Sequence, residues 1–122
     1  MTKNKWTLIF IGAISTHVLA GDLTPAEEAA AEVGQFLAMP GVAAELGAVP
    51  GHEGALAPLM VLRARKYNEQ EKLRGINCQQ SSEIFQAKLE KAVKESPTPH
   101  GKIFSRLYSA YQTADCKEQT QQ

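Results

Sequence analysis

Few side chains in this sequence are equipped for covalent or acid–base chemistry: two cysteines, Cys78 and Cys116, and three histidines, His17, His52 and His100. The cysteines are not in a Cys-x-x-Cys arrangement, and nothing marks either sulfur as activated, so redox exchange is not expected. His52 is followed by Glu53 in a glycine-rich stretch and His100 ends a proline-rich turn. Either histidine is a candidate for acid–base work or for contact with a partner, but no spacing around them fits a zinc or haem site. Ser81-Ser82-Glu83 falls where a helix begins, a place where glutamate favours the helix dipole rather than activating a serine. The acidic pairs Glu27-Glu28 and Glu69-Glu71 are expected on polar helix faces. The sequence has no Gly-x-Ser-x-Gly, no P-loop and no dinucleotide fingerprint. The expectation is a protein that is not an enzyme and uses no metal or cofactor.

The elements that must position the cysteines are two helices of similar length. Asn77 is a good cap for a helix over residues 78–95, with Gln80 three positions on. Ile84, Phe85, Leu89, Ala92 and Val93 recur along it at helical spacing. Thr98-Pro99 reads as a cap followed by proline at the first helical position, which starts another helix running to Cys116. Its stripe is Ile103, Phe104, Leu107, Tyr108, Tyr111 and Ala114. Two helices joined by the short turn at residues 96–101 fold back antiparallel, each about 26 Å long at 1.5 Å per residue. Cys78 opens the first and Cys116 closes the second, so they meet at the end opposite the turn. In an exported protein that pair is a disulfide.

Upstream, Thr24-Pro25 with Glu27 predicts a capped helix over residues 25–38, its apolar face made by Ala26, Ala30, Val33 and Leu37 with Phe36 alongside. Met39-Pro40-Gly41 ends it. Residues 40–58 hold four glycines and three prolines. They read as the least ordered part, with a helical turn around residues 42–46. From Pro58 a helix runs to Gly75, a residue suited to a left-handed stop. Leu59, Met60, Leu62 and Tyr67 are its expected buried contacts, and the polar run after Tyr67 is expected to cover little core. The cluster Arg63, Arg65 and Lys66 is expected to be a solvated face. The fold class is thus all-α: a small bundle of about four helices with a C-terminal hairpin stapled by Cys78 and Cys116.

The first 20 residues have the layout of a cleavable export signal. Lys3 and Lys5 precede an apolar run from Trp6, and small residues lead to Ala20. The 15 residues from Trp6 to Ala20, with Ser15, Thr16 and His17 among them, are short for a membrane span. Cleavage after Ala20 leaves residues 21–122 as one helical domain, exported to the periplasm or outside the cell, with no stable membrane insertion. The full chain has 13 basic and 13 acidic residues, and losing Lys3 and Lys5 leaves a net charge of −2, which argues against a nucleic-acid partner. The charge is uneven: residues 21–56 carry six acids and no Lys or Arg, whereas residues 57–122 carry 11 basic and seven acidic residues. Either the halves pack together and partly neutralise, or each meets a partner.

Phe104, Tyr108 and Tyr111 form an aromatic ridge that serves as core or, if exposed, as a hot spot for a partner or for homodimerisation. In size, export signal, helical pattern and single disulfide the chain resembles small bacterial periplasmic immunity or inhibitor proteins, which block imported cell-wall-degrading toxins. It also resembles small periplasmic chaperones of the acid-stress kind. The resemblance is architectural and carries over no binding residue. It implies a protein that acts by binding another protein; a component of an envelope-spanning machine is the third option. An inhibitor presents a rigid protrusion, for which residues 40–58 and the 96–101 turn are the candidates. His52, Glu53, His100, Tyr108 and Tyr111 are the candidate contacts.

Overall fold

Helix α1 (Pro25–Leu37) opens with a capping box: Thr24 Oγ1 accepts from Glu27 N at 3.1 Å and the Glu27 carboxylate accepts from Thr24 N at 2.9 Å. The computed structural model describes residues 22–121, so the expected export signal over residues 1–20 lies outside them. After α1 come a short helix α2 (Val42–Glu45), a 3-10 turn (Glu53–Ala55) and three long helices, α3 (Leu56–Leu73), α4 (Cys78–Glu95) and α5 (Gly101–Thr120). The all-α bundle read from the sequence is the observed fold. The fourth long helix, α5, is its hub, packing against α1, α4 and α3.

Contacts along α5 set the directions. Ala26 N donates to Glu118 at 2.9 Å and Phe36 meets His100 edge-on, so α1 is antiparallel to α5. Tyr108 donates to the Met60 carbonyl at 2.7 Å and Lys72 Nζ to the Gln119 carbonyl at 2.8 Å, so α3 is parallel to it. Cys78 and Cys116 are bonded with Cα atoms 5.8 Å apart, which makes α4 antiparallel. The long helices therefore run up, down, up and down. The disulfide sits at one end of the bundle and the turn between α4 and α5 at the other.

Several local readings need correction. Helix α3 begins at Leu56, two residues before Pro58. Proline is tolerated there because first-turn N–H groups have no intrahelical acceptor. At its other end Gly75 (φ 78°) supports a Schellman closure, with Gly75 N donating to Lys72 O and Ile76 N to Glu71 O. The expected contacts Leu59 and Leu62 are 41% and 49% exposed, while Ala64, Asn68 and Glu71 are buried in their place. The polar run after Tyr67 therefore does cover core. Glu71 correspondingly does not lie on a polar face; its carboxylate accepts from Arg74 at 2.9 Å. Ile84 and Ile103, assigned to the apolar stripes of α4 and α5, are exposed.

Helix α5 starts at Gly101, not at Pro99, and His100 rather than Thr98 occupies the cap position. The reason is steric and polar together. A Cβ at residue 101 would lie 3.0 Å from Thr98 Oγ1, so the turn closes tightly on a glycine. The His100 N–H is meanwhile taken by Glu45 at 2.6 Å.

Candidate functional site

Residues 40–58 hold α2, the 3-10 turn and the start of α3. Gly41, at φ 81°, turns the backbone into α2, whose Val42 and Ala43 are buried against α1. Helix α2 is one turn long, and its burial leaves Glu45 directed at the α4–α5 turn. There Glu45 Oε2 accepts from His100 N at 2.6 Å and Glu45 Oε1 meets His100 Nδ1 at 2.8 Å. The Phe36 ring meets the imidazole in an edge contact at 5.9 Å between centroids. The two segments named as candidate protrusions are thus joined at the pole opposite the disulfide.

The clasp is electrostatically matched. The ring hydrogen bond from His100 is the main reason the Glu45 carboxyl lies below its ordinary value. Burial pushes the other way, and the His100 N–H, the nearby Thr98 hydroxyl and the His100 charge add smaller downward pulls. Thr98 Oγ1 is itself buried and makes no bond of full hydrogen-bond geometry. A carboxylate bonded to Nδ1 fixes the imidazole's orientation and leaves Nε2 as the ring nitrogen not engaged. Among the described residues no nucleophile hydrogen-bonds to this pair, and no group of three His, Cys, Asp or Glu side chains is placed to hold a metal ion. The two bonds tie α2 to the turn between α4 and α5.

In the segments flanking α2, Val49 is 62% exposed and Met39 47%. Glu53 Oε2 accepts from Gly51 N at 3.3 Å, and Glu53 and Gly54 line a small cleft with Met39, Pro40 and Gly41. His52 is exposed at the start of the 3-10 turn and makes a backbone bond to Val49 O at 2.8 Å. Of the sequence candidates, His100 and Glu53 belong to this pole and His52 borders it.

Tyr108 and Tyr111 do not. They are 6% and 3% exposed, so the ridge is core and neither ring offers a surface to a partner or a second copy. Phe104 stacks on Tyr108, Phe85 meets Tyr108 edge-on and Tyr67 tilts against Phe85, which bridges α3 to α4 across α5. Burial pushes the Tyr108 and Tyr111 hydroxyls up to about 12.

The sequence does not single out Glu45, because there it is one acid in a glycine-rich stretch. The signal available was its place at the end of a turn of small apolar residues, Val42-Ala43-Ala44, whose burial fixes where the next side chain points. No family model, no curated protein and no solved structure matches this chain significantly.

Proposed function

We propose that this chain is an exported, non-enzymatic helical protein that acts by binding another protein through the clasped pole, in the manner of an inhibitor or immunity protein. The observation that carries this reading is the Glu45–His100 clasp. A protrusion held in one conformation before binding loses little conformational freedom on docking, and that is how a small knob reaches useful affinity. The exposed Val49 and Met39 in the segments flanking α2 supply the apolar contact a hot spot needs. Export to the periplasm or outside the cell is supported by the disulfide and by the layout of residues 1–20. No described helix is long and apolar enough to cross a membrane.

A second reading, an acid-stress chaperone, is favoured by one feature: the clasp depends on a carboxylate and is therefore acid-labile. Exposure of the apolar surface beneath α2 would then follow from protonation. Both readings are tested by capturing the tagged, disulfide-intact protein from its native envelope extract, alongside Val49→Asp. One partner in near-equal amount, lost in Val49→Asp, supports the inhibitor reading. Many unfolded clients, captured only in acid, support the chaperone reading; no capture at either pH removes both.

A further inference from the structure

The outer side of α5 is flanked by α1 and α4, which do not pack extensively on one another. Two adjoining grooves that share Gln86 and Ser109 follow this side of the helix from Lys102 to Gln121. At 1.5 Å per residue that is about 28 Å, the length of a helix of about 19 residues. The floor is made of small side chains, Ser105, Ser109, Ala110 and Ala114, over which another helix backbone can come close.

The rim is basic and its charge is uncommitted. Lys94, Lys102, Arg106 and Lys117 line the grooves, and among the described residues none of them is in an ion pair. Two carboxylates share the rim, Glu90, which accepts from Gln86 Nε2 at 3.2 Å, and Glu118, which accepts from Ala26 N at 2.9 Å, so cations outnumber carboxylates four to two.

We propose that this groove docks an acidic amphipathic helix of the partner protein. The proposal rests on the protein-binding function proposed above and adds a second contact surface to it. Charge selects the occupant: residues 1–21 of the chain itself carry Lys3 and Lys5 and no acid, the wrong sign for this rim. Four free cations along a groove of helix length call for carboxylates spaced three and four apart on one face, with small apolar residues beneath.

The test uses two labelled helical peptides of about 18 residues, enough to fill the groove. One carries glutamates along a face above an alanine and leucine stripe, and the other has lysines in their place. Anisotropy titration with the disulfide-intact protein is expected to show binding of the acidic peptide only, weakened by salt. Lys102→Glu/Arg106→Glu is expected to lower affinity at least about tenfold, as is Ala110→Trp, which fills the floor without changing charge. Circular dichroism establishes that both variants remain folded. Val49→Asp, at the other surface, is expected to bind the peptide unchanged, so that loss of partner capture in Val49→Asp and loss of peptide binding in the groove variants fail independently. The proposal is overturned if the acidic peptide does not bind at low salt, if both peptides bind alike, if Ala110→Trp binds as the parent does, or if a DNA oligonucleotide of equal charge binds as tightly.

Discussion

Asn68 on α3 and Gln112 on α5 hold one another by two hydrogen bonds: Gln112 Nε2 donates to Asn68 Oδ1 at 2.8 Å and Asn68 Nδ2 donates to the Gln112 backbone carbonyl at 3.1 Å. Asn68 is 1% exposed and Gln112 is fully buried. Asn68 Nδ2 also reaches Asp115 at 2.9 Å, and Asp115 accepts from Gln119 Nε2 at 2.7 Å. The α3–α5 seam is therefore polar over its lower half, and every amide in it has a partner. Polar groups arranged this way specify one register, because sliding either helix by a turn would leave them all unpaired.

Asn68→Leu should accordingly destabilise the bundle by about 2–3 kcal/mol, since it leaves the Gln112 amide without its acceptor and Asp115 with one donor fewer. Replacing both residues, Asn68→Leu/Gln112→Leu, should cost less than the sum of the single changes, because the unpaired amide is removed together with its partner. Urea unfolding of the three variants measures this. A single variant within about 0.5 kcal/mol of the parent would show that the seam contributes little.

The disulfide makes a larger prediction. Cys78 and Cys116 close a loop with a sequence separation of 38, for which chain-entropy arguments give roughly 4 kcal/mol. At about 4–8 °C per kcal/mol for a domain of this size, Cys78→Ser should melt roughly 15–30 °C lower in oxidising buffer. Reduction of the parent protein should produce a similar drop. Equal melts for variant and parent would mean that the α4–α5 hairpin is held by packing alone.

These two seams also show what the sequence made legible. The hairpin followed from two apolar stripes of equal length with a cysteine at each far end, because helical periodicity and chain length alone place Cys78 opposite Cys116. The lower half of α3 did not follow. Met60, Ala64, Asn68 and Glu71 lie on one helical stripe, but the apolar character stops at Ala64 while the burial continues. Reading burial from hydrophobicity therefore turned the helix toward Leu59 and Leu62. The polar stripe Gln112, Asp115 and Gln119 on α5 keeps the same period, and a match between two polar stripes was the available clue. At the pole, His100 was legible as a turn residue, but its acceptor lies 55 positions away and no local pattern announces it.

The three tyrosines, Tyr67, Tyr108 and Tyr111, should ionise late. Burial is the first cause for each, and each is pushed up to about 12, against an ordinary value of 10.0. A folded-state value above the unfolded one favours the fold below pH 10 and loses that contribution as pH rises toward 12. An alkaline titration of phenolate absorbance should therefore show little change near pH 10, then a steep rise that coincides with loss of helical circular dichroism. Ionisation of all three near pH 10 with the helices intact would place their hydroxyls in solvent and contradict the packing of Tyr108 on Met60 O.

The clasp has the opposite pH dependence. Glu45 lies below its ordinary value of 4.5, chiefly because His100 hydrogen-bonds to it. A depressed carboxyl stabilises the fold above the unfolded value, and that contribution drains away as pH falls through the folded value. Protection of the amides in α2 and the segment after it, taken relative to their intrinsic exchange rates at each pH, should therefore fall in acid before that of the rest of the bundle. Glu45→Gln keeps an acceptor for the His100 N–H but has no proton to gain, so its α2 amides should keep the same protection factors on both sides of that pH. His100→Ala should return Glu45 toward its ordinary value, read directly from the carboxyl chemical shift. An acid step that persists in Glu45→Gln, or a Glu45 shift that titrates identically with and without His100, would break the link between the carboxylate and the pole.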